Sequence, residues 1–469
     1  MEQQKTQAAL LKEQLFYQPK AATAVMDEAA RADAMRYAEG YKAFLNAAKT
    51  EREAVAAAVR LAEQEGFKPF DRSEKLKAGD KRYLNNRGKA LILFVVGKQD
   101  VQKGLTIAAA HVDSPRLDCK PNPLYEDHEL AYFDTHYYGG IKKYQWTAIP
   151  LALHGVVVRA DGSAVSVCIG EDADDPVFCV TDLLPHLASE QMKRPAGEIV
   201  RGEDLNLLIG SFPFNQDEES EQVKLNILHI LHQKYGITEA DFRSAELEIV
   251  PAFAARDVGL DRSMVGSYGH DDRVCAYPAV TALLAQQLPE RTAVAVLADK
   301  EEIGSDGNTG MQSAFLMHFI DDLAEMFGQK GRHVAEKSLC LSADVNAGFD
   351  PIYPEVAEQR NFSCLNHGVV LTKYTGARGK SDTSDASAET MGHVRCLMEK
   401  NGVVWQIGEL GKVDVGGGGT VAKYIANLNI DTVDLGVPVL SMHAPVEIVA
   451  KLDVYMAHKA FAALCGDTV

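Results

Sequence analysis

Four stretches of this 469-residue chain close an apolar, strand-like run on an acid or a histidine. They are TIAAAHVD (106–113), AVAVLADKEE (293–302), SLCLSAD (338–344) and VPVLSMH (437–443). A fifth, GHDDR (269–273), sets paired aspartates just ahead of an apolar helical pattern. In an open α/β sheet, ligands bind beyond the carboxyl ends of the strands. His111, Asp271, Glu301, Glu302, Asp344 and His443 can therefore meet at one rim. Imidazole and carboxylate donors of this kind suit a hydrolytic site with two metal ions.

Each residue also has a plain structural reading. A lone histidine at a strand end is commonly just hydrogen-bonded, but Asp113 lies two residues beyond His111. A carboxylate behind a ligating imidazole fixes its tautomer and raises its basicity. Asp271 and Asp272 could simply favour a helix start; functionally, Asp271 bridges two ions, with Asp272 or His270 behind it. Glu301 and Glu302 are adjacent acids that repel each other and that packing does not require. Glu302 is assigned as a ligand and Glu301 as a general base, which needs its pKa raised by burial or a like charge. Asp344 and His443 are terminal ligands.

The expected division is His111 and Asp344 on one ion, Glu302 and His443 on the other, and Asp271 between them. Such ions sit ~3.5–4 Å apart and activate a shared water. One of them can also hold a free α-amine, which favours cleavage at a peptide N-terminus. Zinc suits these donors best, and manganese or cobalt also fits.

Weaker features surround this set. VGGGGT (415–420) precedes a helical pattern; Gly417 and Gly418 would let backbone approach a substrate, and Thr420 could cap the helix. TGARGKSD (375–382) lacks the spacing of a phosphate loop, which rejects nucleotide binding there. Lys373, Arg378 or Lys380 could line a substrate pocket, with an exposed basic loop as the plainer reading. His186, in DLLPHLAS, reads as a helix-surface residue unless the segment caps a neighbouring subunit's site.

The elements that must position these residues follow from periodicity. Residues 22–66 read as one or two amphipathic helices. KALILFVVGKQ (89–99) and GLTIAAAHVD (104–113) read as neighbouring buried strands. From about residue 121 the pattern becomes β-rich, with a hairpin signal at Asp161-Gly162 and helical patterns at 182–192 and 218–235. The acidic run DEESE (217–221) fits a solvated helix start. After Leu247, strands and helices alternate, as in βαβ units with a largely parallel sheet. The expected organisation is an α/β domain of residues 1–120 and 248–469, interrupted by a β-rich insertion of roughly domain size at 121–247.

Composition narrows the partners. The net charge of −18 opposes nucleic acid and anionic membrane surfaces. No run approaches the ~18 apolar residues of a membrane span. Eight cysteines without a CxxC pair suggest reduced thiols. With no secretory pattern at the N-terminus, the expected location is the cytoplasm.

Together, HVDSPR, GHDDRVCAY, DKEEIGSDG, SADVNAGFDP and SMHAPVE resemble the motifs of the M18 metallo-aminopeptidases, in order, from about residue 80 onward. The resemblance implies a dinuclear zinc peptidase domain split by a dimerisation domain and assembled as a tetrahedral dodecamer. It implies His111, Asp271, Glu302, Asp344 and His443 as ligands, Glu301 as base and Asp113 behind His111. Aspartyl aminopeptidases usually carry Asn after the bridging aspartate, where this chain has Asp272. GHDDRVCAY and KYTGARGK look closer to the aminopeptidase I branch, which implies neutral or hydrophobic N-terminal residues over Asp or Glu. The long propeptide of the vacuolar enzyme is expected to be absent. The alternatives are an acidic-residue aminopeptidase, a related dinuclear deacylase or carboxypeptidase, and a metal-retaining assembly subunit without activity.

Overall fold

The computed structural model describes residues 6–215 and 220–467. Three residues of the acidic run, 217–219, lie outside the described residues.

A nine-stranded sheet forms the centre of an α/β fold. Its middle is four parallel strands, in the spatial order Thr292–Ala298, Leu105–His111, Leu339–Ala343 and Asp431–Gly436. All residues of the first three are buried, because helices cover both faces and leave no polar side to alternate. Side-chain alternation sorts the core into two layers. Leu91, Leu93 and Val95 pack in the same cluster as Tyr41, Val55, Val280 and Phe461, which come from four different helices. Ile92 and Phe94 point the other way, toward Leu316, Phe319 and Leu323 of helix Phe315–Met326. Each large apolar side chain fully buried this way contributes about 1.5–3 kcal/mol.

The helical expectation over 22–66 resolves into Ala22–Val25, Glu28–Asn46 and Glu51–Gln64, the last opened by a capping box between Thr50 and Glu53. Two expectations fail. Strands Ala90–Val95 and Leu105–His111 are not neighbours, because Thr292–Ala298 lies between them and pairs with both. A strand brought from 180 residues away leaves no trace in local periodicity. Residues 182–192 form turns and not a helix; a short 3-10 turn spans Gln191–Lys193.

A separate seven-stranded sheet draws all its strands from residues 116–251. It is antiparallel and has its own core around Trp146, Phe133 and Leu247. Its strand Arg116–Asp127 begins five residues after His111, and Leu130–Tyr138 folds back beside it. Tyr138 therefore ends its strand next to the rim where the parallel strands of the central sheet stop. A five-stranded sheet includes Pro438–Leu440 and Glu447–Ala450, which bracket His443.

Candidate metal centre

His111 is the last residue of its strand, and Asp344 follows the end of Leu339–Ala343. Beyond Thr292–Ala298, Lys300 adopts a left-handed conformation (φ 67°) and turns Glu301 and Glu302 back in a single 3-10 turn. His443 also takes a left-handed conformation (φ 64°), between two short strands. Asp271 and Asp272 are non-helical residues at the broken start of helix His270–Leu284. Five distant segments thus converge.

The geometry divides evenly about Asp271. His111 Nε2 lies 3.1 Å from Asp271 Oδ1 and 3.7 Å from Asp344 Oδ1. His443 Nε2 lies 3.1 Å from Asp271 Oδ2 and 3.6 Å from Glu302 Oε1. Glu301 joins His111 and Asp344 in a second grouping whose donor atoms lie within 4.8 Å of one another, and Asp272 joins Asp271 and Asp344 in a third. Ligand atoms on a tetrahedral zinc with bonds of ~2.0–2.1 Å are about 3.3 Å apart, close to the observed spacings. His111 Nε2, Asp271 Oδ1 and Glu302 Oε1 are buried and make no hydrogen bond. Buried polar atoms of a folded chain normally have partners. Orphaned donors facing one another in this way fit divalent cations.

Charge is crowded here. Burial, with the Asp344 carboxylate beside it, pushes Glu301 up to about 8. Burial and the Asp271 charge hold Glu302 well above the usual carboxylate range. Burial opposes protonation of His443, yet Asp271 and Glu302 raise it to about 11. A cation would relieve both effects by replacing protons with metal charge.

Outer contacts fix the donors. His111 Nδ1 faces Asp113, 3.0 Å from its carbonyl oxygen and 3.3 Å from Oδ1, which leaves Nε2 directed inward. Asp113 also accepts hydrogen bonds from the backbone N–H groups of Glu301 and Glu302, at 3.1 and 3.2 Å, and from the Tyr138 hydroxyl at 2.8 Å. His443 Nδ1–H donates to the Gly140 carbonyl at 2.7 Å. Glu447 accepts the N–H of Asp271 at 3.0 Å and of His443 at 2.7 Å. Sequence reasoning gave no role to Tyr138, Gly140 or Glu447. Glu447 sat inside a quoted motif, an acid in an otherwise apolar short strand, and that was its only signal.

His270 is held between the Tyr41 hydroxyl and the Val265 carbonyl, and burial lowers its pKa to about 3, so it is a neutral structural residue. Lys373 and Lys380 both pair with Asp385. Arg378 is exposed on the same loop. Gly417 and Gly418 pack against that loop: a Cβ on Gly417 would lie 2.2 Å from the Gly376 carbonyl, and Gly376 N–H donates to Gly418 O. The glycines thus permit contact between two backbones. Thr420 donates to Asp434 at 2.7 Å and accepts the Ala422 N–H at 3.3 Å, one residue ahead of the helix N-cap Val421, so the expected cap position shifts by one. His186 lies in an exposed turn of the inserted segment, not on a helix.

A further group, Glu53, His154 and Cys168, also places donor atoms within 4.8 Å. Here both imidazole nitrogens already have carboxylate partners, Glu53 at 2.8 Å and Glu171 at 3.0 Å. The Lys49 ammonium is 2.9 Å from Glu171 and completes the charge balance.

Among the described residues, no helix is long and apolar enough to cross a membrane. A profile of the family described as "Aminopeptidase I zinc metalloprotease (M18)" matches residues 44–464. A protein of Clostridium acetobutylicum, named probable M18 family aminopeptidase 1, is 51% identical over 435 residues, covering 91% of this chain and 94% of its own. The crystal structure of an M18 family aminopeptidase from Thermotoga maritima superposes with a TM-score of 0.92 at 44% identity, covering 96% of this chain and 99% of that one. More distantly, an S. cerevisiae mApe1 dodecamer shares the fold, with a TM-score of 0.72 at 21% identity over 91% of this chain and 95% of that one.

Proposed function

The chain belongs to the M18 family of zinc metalloproteases and is an aminopeptidase; from that premise we propose that it removes single residues from peptide N-termini at a dinuclear centre. His111 and Asp344 would hold one ion and Glu302 and His443 the other, with the Asp271 carboxylate serving both. One observation carries this reading: the two oxygens of Asp271 each lie 3.1 Å from a different imidazole, and each imidazole is accompanied by a different carboxylate.

Bound there, the zinc ions supply Lewis acidity toward a water molecule and the scissile carbonyl. Glu301 does the proton work. It shares a loop with Glu302, and its carboxylate lies within 4.8 Å of the donor atoms of His111 and Asp344, close enough to take a proton from water there and return it to the departing amine. Asp113 keeps His111 in the tautomer that points Nε2 inward. Burial of His111, Asp113 and Asp271 excludes bulk water and strengthens each electrostatic contact.

The side-chain preference is slightly for neutral or hydrophobic N-terminal residues over Asp or Glu. An acidic residue needs an available cation, and Lys373 and Lys380 are both engaged by Asp385. Residues 121–247, carrying most of a sheet with its own core, form the oligomerisation domain of a homo-oligomer, a tetrahedral dodecamer. Eight free cysteines fit a reducing compartment, the cytoplasm.

The test is a panel of chromogenic amides with different N-terminal residues, assayed with zinc, manganese and cobalt alongside metal analysis. About two ions per subunit are expected, together with release of free neutral residues and no cleavage of N-acetylated peptides. Activity that survives complete chelation would overturn the reading.

A further inference from the structure

Three consecutive residues at the outgoing end of an inserted-sheet strand meet Asp113, Glu302 and His443 of the candidate centre. Tyr138 closes strand Leu130–Tyr138, and its hydroxyl donates to Asp113 Oδ2 at 2.8 Å. That carboxylate faces His111 and also receives the N–H groups of Glu301 and Glu302. Gly139 follows with φ 74°; a Cβ there would lie 3.2 Å from Glu302 Oε2 and 3.4 Å from the Pro115 α-carbon. Gly140 places its carbonyl 2.7 Å from His443 Nδ1. The outer nitrogens of both histidines are therefore governed from one short segment, one through Asp113 and one directly.

The segment is rigidly held. The Tyr138 ring lies 4.0 Å from the Arg116 guanidinium, directly across the hairpin. Arg116 is buried and contacts Asp118 at 2.8 Å, Glu248 at 3.3 Å and Glu51 at 3.4 Å. Asp118 and Glu248 belong to paired strands of the seven-stranded sheet, whereas Glu51 opens a helix packed on the central sheet. One cation thus fixes the phenol between the two sheets.

We propose that Tyr138, Gly139 and Gly140 position both histidines and the glutamate turn, so that the inserted sheet sets the metal affinity of the centre beside it from within the same chain. The proposal rests on the dinuclear reading above. These are positioning residues: they act through Asp113, Glu302 and His443. Because they are consecutive, a shift of the inserted strand moves all three contacts at once. Partners that support a ligating histidine typically alter metal affinity 10–100-fold when removed.

The test uses the purified holoenzyme with Tyr138→Phe, which removes the hydroxyl and keeps the ring over Arg116. Zinc affinity is measured by chelator competition, and the cobalt-loaded protein by its visible absorption. The expected result is zinc affinity weaker by about tenfold, an altered cobalt spectrum and a lower kcat with KM little changed. The metal-free melting temperature and oligomeric size should match the parent. Zinc affinity and a cobalt spectrum identical to the parent overturn the proposal. If the Tyr138→Phe chain does not fold, Gly139→Ala carries the same measurement through its contact with Glu302, and unaltered affinity is equally fatal. A parent that binds zinc tightly beside unaffected variants removes only the positioning role. A parent that takes up no zinc removes the dinuclear reading and this proposal with it.

Discussion

Two clusters in this molecule gather a histidine with carboxylates, and they end in opposite electrostatic states. Around Asp271, buried donor atoms of His111 and Glu302 make no hydrogen bond. Around His154, both ring nitrogens are bonded to carboxylates, and Lys49 balances the surplus negative charge. The residue types are similar; what differs is satisfaction. A closed network of this kind stabilises the junction between helix Glu51–Gln64 and the inserted sheet. An open one is destabilising unless something else supplies the partner. Proximity of ligand-type atoms is therefore weak evidence for a metal, and proximity combined with orphaned buried atoms is strong.

The contrast can be broken most forcefully at Glu301. Glu301→Gln keeps the shape and removes the proton acceptor, so kcat is expected to fall about 10²–10⁴-fold while zinc content is retained. Turnover within threefold of the parent, measured beside metal analysis, would reject Glu301 as the base.

At His154 the expected effect is on stability. His154→Gln should lower unfolding stability at pH 7 by about 1–3 kcal/mol, with zinc content and kcat unchanged. The pH dependence has a definite sign. Burial opposes protonation of His154, but contacts with Cys168, Glu171 and Glu53 outweigh it and raise its pKa from 6.5 to about 11 in the folded chain. A raised folded-state pKa gives stabilisation that is full below about 6.5 and is lost as pH rises toward 11. Denaturant unfolding of parent and variant should therefore differ most below pH 6.5 and converge at alkaline pH. A zinc loss caused by this substitution would erase the distinction between the two clusters.

The smallest effect is expected on the basic loop. Asp385→Ala releases Lys373 and Lys380 from pairs that are about 42% exposed. Such pairs are worth about 0.2–1 kcal/mol, so kcat/KM for N-terminal Asp or Glu should rise only about 2–5-fold relative to neutral residues. An unchanged ratio would separate these lysines from the substrate pocket.

The sequence by itself determined which donors could meet. An apolar run ending in His111, Asp344 or the Glu301-Glu302 pair states locally that a buried strand stops at a polar residue. The tertiary structure alone decided the strand order, with Thr292–Ala298 inserted beside Leu105–His111, and the outer partners Tyr138, Gly140 and Glu447. It also decided that His154 is satisfied whereas His111 is not. The physical reason is range. Periodicity and capping depend on neighbours within a few residues, whereas a hydrogen-bond partner across two sheets depends on how the whole chain packs.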